Sequence, residues 1–126
     1  MTKIIFYKTD GVFYGFEEQG HTGYGESGDD ILCSALSAMT MLIINAIEVS
    51  YASDVEYTID EATADIRLIA KGALPDYESD ESKRFAVSGL IMAYYYQLND
   101  LIEEYYEYLS VDVIEKPLSA EHQYGG

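Results

Sequence analysis

Two runs rich in aromatic and β-branched residues open the chain, residues 3–8 and 12–19. Such runs favour extended backbone, and the Asp10-Gly11 pair between them is a strong hairpin signal. Further on, residues 55–60 alternate, with Val55, Tyr57 and Ile59 on one face and Glu56, Thr58 and Asp60 on the other. Residues 63–70 repeat the pattern with Ala64, Ile66 and Leu68 facing inward, and a short turn joins these two strands. Residues 111–115 read as a last strand, stopped by Pro117.

Between the hairpins the period changes. Residues 30–49 are apolar on most sides of a helix (Ile31, Leu32, Ala35, Leu36, Met39, Leu42), as expected for a helix covered by sheet or by a partner. Either Asp29 or Asp30 can cap its first turn. A second helix is expected over residues 80–109. Val87, Ile91, Tyr94, Leu98, Leu101, Tyr105 and Tyr108 recur there at spacings of four and three, a seam to lay against the sheet. Six of the chain's 13 tyrosines fall in this segment, a surplus that fits either a subunit interface or plain exposure. The element order is therefore ββαββαβ. The fold class is α/β in the broad sense, more narrowly α+β: one two-layer domain, residues 1–117, with a largely antiparallel sheet and two helices, followed by a tail over residues 118–126.

Length and composition agree with one soluble domain: 126 residues, 48% hydrophobic and 24% charged. The most apolar run, residues 39–44, is short, so no membrane span is expected. The N-terminus lacks a secretory apolar stretch, and a single cysteine cannot form an internal disulfide, so a reducing, cytoplasmic setting is expected. Seven basic against 23 acidic residues give a net charge of −16, which disfavours nucleic-acid binding. The same charge serves either solubility or attraction of a basic partner.

The chemistry-bearing residues cluster between positions 20 and 37. Here lie the one cysteine, Cys33, one of the two histidines, His21, and four glycines within nine residues, Gly20, Gly23, Gly25 and Gly28. His21 follows an expected strand and Cys33 opens an expected helix. The glycine loop lets the chain double back and bring the two side chains to one end of the sheet. A thiol titrates near ~8.5, and both an imidazolium and the unpaired N–H groups of a helix start favour its thiolate. Those N–H groups also suit an oxyanion. Asp29 and Asp30 oppose this unless they are engaged in capping or turned toward His21. Ser37, one turn beyond Cys33, shares its helix face. The loop of residues 22–29, with Tyr24 its one large side chain, is expected to order over bound substrate.

Other readings of the same residues stand beside this one. A lone cysteine on an apolar helix also serves as a small buried hydrophobe, a strand-end histidine as a surface residue, and loop glycines as turns. One histidine and one cysteine fall short of a zinc site, no metal or cofactor is called for, and His122 in the tail reads as a spectator. No lysine follows the glycines, so a phosphate loop is disfavoured.

The stretch Gly20-His21-x-x-x-Gly25-x-x-Gly28-x-Asp30-Ile31-Leu32-Cys33-Ser34-Ala35-x-Ser37 resembles the signature of the ribosomal-processing cysteine protease family, Prp. Asn45-Ala46, the element order and the length extend the likeness over nearly the whole chain. Thr22 and Leu32 stand where alanine and valine are common in that family. The resemblance implies a cytosolic homodimeric peptidase that removes the N-terminal extension of the twenty-seventh large-subunit ribosomal protein, cutting after paired aromatic residues. It makes Cys33 the nucleophile and His21 the base, with Asp30 and Ser37 as supporting residues. A strongly basic substrate would then match the −16 charge. The alternative from another class is a noncatalytic acidic protein that binds a basic ribosomal component.

Overall fold

The computed structural model describes residues 1–20, 27–60, 62–63 and 65–118, with backbone alone for residues 27–30. Strands β1 (Thr2–Thr9) and β2 (Val12–Gln19) form the expected hairpin, and both turn residues are left-handed, Asp10 at φ 49° and Gly11 at φ 80°. That pair of positive φ values matches the right-handed twist of the flanking strands. An irregularity between Tyr7 and Lys8 makes β2 one residue longer than its partner across the hairpin. Phe13 and Phe16 thereby both reach the Phe6 ring on the helix side, at centroid distances of 6.2 and 5.6 Å, while Tyr14 stacks on Tyr7. No alternation rule applied to residues 12–19 anticipates this, because a bulge resets which face a residue occupies.

Helix α1 (Ser27–Asn45) is followed by a wider π turn over Ala46–Ser50 and a left-handed Ala52, φ 48°. It therefore starts three residues before the expected position. Ser27-x-x-Asp30 has the form of a capping box, and acidic residues are favoured inside a first turn as well as ahead of it. Gly28, Asp29 and Asp30 thus belong to the helix rather than to the preceding loop.

Strands β3 (Glu56–Ile59) and β4 (Ile66–Ile69) are shorter than the sequence runs, and Thr63 lies in the turn between them. Ile66 and Leu68 face inward as expected, whereas Ala64 lies outside the described residues. All of β3 is exposed, since it forms the sheet edge. Helix α2 (Glu81–Tyr105) is capped by Asp80, whose side chain accepts from the amides of Ser82 and Lys83 at 2.9 and 3.3 Å. Its seam buries Val87, Ile91, Tyr94 and Leu98. The expected extension to residue 109 is not seen. The helix ends at Tyr105, and Leu109 begins strand β5 (Leu109–Glu115), because Leu109 is a core residue of the sheet and Thr2 N–H donates to the Tyr108 carbonyl at 2.7 Å.

The sheet order is β3-β4-β2-β1-β5, antiparallel except for β5 beside β1. Leu118, the first residue of the expected tail, packs partly against the core, and residues 119–126 are not described. Helix α1 and the π turn that continues it are together long and apolar enough over Ile31–Ser50 to meet the length and composition of a membrane span, which the shortness of run 39–44 did not anticipate. In the fold, Leu32, Leu36, Ile43, Ile44 and Ile47 are buried in the core, the behaviour of a helix lying on a sheet. Its other side leaves Ile31, Met41 and Leu42 exposed.

Candidate active site

Strand β2 delivers the chain to Gly20, whose φ is +83°. A β-carbon there would sit 2.4 Å from the Met1 carbonyl oxygen, so both the dihedral and the close approach of the N-terminus demand glycine. Gly11 is the contrasting case: φ is +80°, but nothing lies within 4 Å of its missing β-carbon. Gly20→Ala is therefore expected to cost roughly 1–3 kcal/mol and Gly11→Ala only the lower part of that range. Thermal unfolding of the two variants tests this, and equal losses would show that the approach to Met1 carries no weight.

His21 follows Gly20 directly. His21, Gly23, Tyr24 and Gly25 all lie outside the described residues, as does the greater part of the expected substrate lid. Cys33 is described: it is half-buried on α1, between buried Leu32 and Leu36, and Ser37 is exposed one turn later. Because the helix starts at Ser27, Cys33 stands nearly two turns inside it rather than at its opening. Its own amide belongs to the intrahelical ladder, so the unpaired N–H groups of the helix start are not Cys33's to aim at an oxyanion. By helical register Asp29 and Asp30 precede Cys33 by one turn.

Helix α1 returns antiparallel over β2. Near one end, Thr40 donates to the Glu18 carboxylate at 3.2 Å. Toward the other, Ser53 N–H donates to the Ile47 carbonyl, Gly72 N–H to the Asp54 carbonyl, and Ala70 N–H to the Tyr14 carbonyl. The thiol-bearing part of the helix thus lies toward the strand end that carries Gly20.

Sequence reasoning passed over the most unusual group near this end. Glu18 is fully buried on the helix side of the sheet, where it also accepts a hydrogen bond from the Tyr94 hydroxyl. Burial pushes its carboxyl up to about 7, against a partial lowering by the bonds from Tyr94 and Thr40. Tyr94 is raised in turn, by burial first and then by the neighbouring carboxylate. The signal available beforehand was a polar residue at an inward position of each element: Glu18 two places after Phe16, and Thr40 within the apolar stripe of α1.

On the opposite sheet face a groove of about 430 Å³ adjoins the same strand end, lined among others by Glu17, Gln19, Asp60, Asp65 and Arg67. Arg67 pairs with Glu17 at 3.2 Å, and the Asp60 carboxylate is committed to the amides of Ala62 and Thr63 in the β3–β4 turn. Among the described residues no group of three metal-ligating side chains converges.

A five-stranded mixed sheet under two helices, with the single thiol half-buried on the first of them, defines an α+β domain. The sequence profile of the family described as cysteine protease Prp matches residues 1–110; the chain belongs to this family and is a cysteine protease. Solved structures agree on the fold. SMU.848 from Streptococcus mutans superposes with a TM-score of 0.74 at 28% identity, covering 92% of this chain and 99% of that one. The essential ribosomal processing protease Prp from S. aureus, in complex with a substrate peptide, gives 0.74 at 18% identity, covering 90% and 100%. The same enzyme with a covalently linked product peptide gives 0.72 at 19% identity, with the same coverage. No curated protein matches the chain.

Proposed function

We propose that this protease removes the N-terminal extension of a basic large-subunit ribosomal protein, the twenty-seventh, in the cytoplasm, with Cys33 as nucleophile and His21 as acid and base. The observation that supports the reading is the single thiol, half-buried on α1, a helix that Thr40 ties to Glu18, two residues before Gly20. The S. aureus relative, described as a ribosomal processing protease, supports the substrate class. In the first step the thiolate attacks the scissile carbonyl, forming a C–S bond. Collapse of the tetrahedral intermediate breaks the C–N bond as His21 protonates the leaving amine. Water, losing its proton to His21, then cleaves the thioester and restores the thiol. Asp30 and Ser37 support the pair from the adjacent helical turns.

The test is incubation with a peptide spanning the extension junction, followed by mass spectrometry of both products. Scission at one bond after paired aromatic residues supports the reading. An intact peptide, or cleavage that persists in Cys33→Ala, rejects it.

The net charge of −16 points to electrostatic capture of the basic substrate. Cleavage of a lysine-rich peptide should slow as salt rises, since the Debye length shrinks from ~10 Å at 0.1 M to ~3 Å at 1 M. A neutral peptide should respond little, and equal slopes in kcat/KM would assign the acidic surface to solubility alone.

A second copy of the chain is the proposed cover for the apolar residues left open on the helical layer, Ile31 and Leu42 of α1 with Tyr96 of α2. Light scattering should give a dimer mass at micromolar concentration.

A further inference from the structure

Helix α2 carries an apolar stripe on each of two sides. Val87, Ile91, Tyr94 and Leu98 form the buried one. On the opposite side Phe85, Gly89 and Met92 follow one another at spacings of four and three, with Phe85 70% and Met92 41% exposed. That is the period of a helix seam that packs against a partner. Tyr96 continues the stripe toward the face assigned above to a second copy. Beside Phe85 and Met92 runs a groove of about 380 Å³, closed on its other side by Val12, Ala73 and Pro75. None of the groove's residues belongs to α1, so an occupant is held apart from the helix that carries Cys33.

Gly89 also lines this groove, in mid-helix, where glycine is less stable than alanine. A β-carbon added there would meet nothing within 4 Å, so packing among the described residues gives no reason for a glycine. Close approach of a partner gives one. The charges around the stripe are of one sign. Glu81 stands one turn before Phe85, Asp100 and Glu103 follow Met92, and all three are exposed. By helical register Glu103 falls in line with Phe85 and Met92. It lies in the last turn of α2, which has no basic residue, where the helix dipole opposes negative charge. Among the described residues none of the three carboxylates forms an ion pair. The cations of the helix, Lys83 and Arg84, stand one turn before buried Val87, and Arg84, which also lines the groove, donates to the Glu78 carbonyl at 2.7 Å.

We propose that the outer stripe of α2 and its groove dock a basic polypeptide segment with an apolar anchor, supplied by the substrate protein away from its scissile bond. The proposal rests on the basic-substrate reading above. The anchor fills the groove over Gly89 between Phe85 and Met92, and cationic side chains on either side of it meet Glu81 at one end and Asp100 and Glu103 at the other. Charge also decides against a second copy as the occupant. Antiparallel pairing centred between Gly89 and Met92 sets Glu81 of one copy against Asp100 of the other, and parallel pairing sets each carboxylate against itself; both repel.

The test measures kcat and KM on the full basic precursor and on a short junction peptide, and by calorimetry the binding of the mature basic protein, without its extension, to the enzyme. Three variants on the outer side of α2 are compared with wild type: Phe85→Ala with Met92→Ala, Glu81→Lys with Glu103→Lys, and Gly89→Arg, which puts bulk and positive charge into the groove. Each should raise KM for the precursor roughly 5–20-fold with kcat kept, weaken binding of the mature protein by a similar factor, and leave the junction peptide within about twofold. The lysine pair should also flatten the salt dependence of kcat/KM for the precursor. Equal effects on precursor and junction peptide overturn the proposal, as do unchanged KM and binding in all folded variants, or no binding of the mature protein to wild type. Loss of a dimer mass in Phe85→Ala with Met92→Ala, read by light scattering, overturns it in favour of a second copy. A wild-type enzyme that leaves the junction peptide intact rejects the cleavage reading, and calorimetry with the mature protein still decides the docking proposal.

Discussion

Replacing Cys33 by alanine is expected to reduce cleavage of the extension peptide by roughly 10⁵–10⁶-fold in kcat, to the level of the uncatalysed background, with the fold intact. The loss is that large because the thioester route disappears altogether; no other cysteine exists to replace it. Stability should change by only about 1 kcal/mol, since the side chain is half-buried and alanine suits a helix. His21→Ala should lose nearly as much, and the double variant no more than the worse single one, since the proposed nucleophile and base would act as one unit. Far-ultraviolet circular dichroism establishes folding, and active-site titration with a radiolabelled alkylating agent excludes wild-type carry-over. Appreciable turnover in Cys33→Ala under those controls would require a different nucleophile. Additive losses in the double variant would dissolve the pair.

The second large effect concerns stability and has the opposite sign to most substitutions in a core. Glu18 ionises at about 7 in the fold against an ordinary value of 4.5. Below pH 4.5 the group is protonated in both folded and unfolded chains, and it costs nothing by titration. Between 4.5 and 7 the unfolded chain releases the proton while the folded one retains it, so stability falls as pH rises; above 7 the loss is complete. At ~1.4 kcal/mol per pH unit the total is about 3 kcal/mol. Glu18→Gln removes this dependence while retaining an oxygen for Thr40 and Tyr94. The variant should therefore unfold like wild type at pH 4.5 and be more stable by up to about 3 kcal/mol at pH 8–9. Denaturant melts across that range decide it, since every other titrating group is shared and cancels in the difference. A gap between variant and wild type that stays flat, or widens toward acid, would place the Glu18 carboxyl in a different environment. The expected gain in stability marks Glu18 as a residue kept at a thermodynamic cost.

The sequence by itself determined the elements and most of their order, because the forces behind them are local. Asp10-Gly11 sets a left-handed turn wherever it stands, Asp80 caps whatever helix follows it, and the seam Val87–Ile91–Tyr94–Leu98 needs only a helical period to line up. The glycine-flanked His21 and the Cys33 motif were legible for a related reason: rare residue types at a specific spacing carry information without any fold. Only the tertiary structure decided the rest. The end of α2 at Tyr105 followed from Leu109 entering the sheet beside Thr2, a contact between residues more than a hundred positions apart. The bulge that turns Phe13 and Phe16 to one side depends on how β2 pairs with β1, and the exposure of β3 on its place at the sheet edge. The start of α1 at Ser27 moved Cys33 from a helix opening into the helix proper, because acidic residues are acceptable on either side of that boundary. Glu18, Thr40 and Tyr94 lie on three elements and 76 residues apart at the widest; each looks like an ordinary polar side chain until packing removes water from all three at once. Desolvation is a property of the assembled core, and no local pattern contains it.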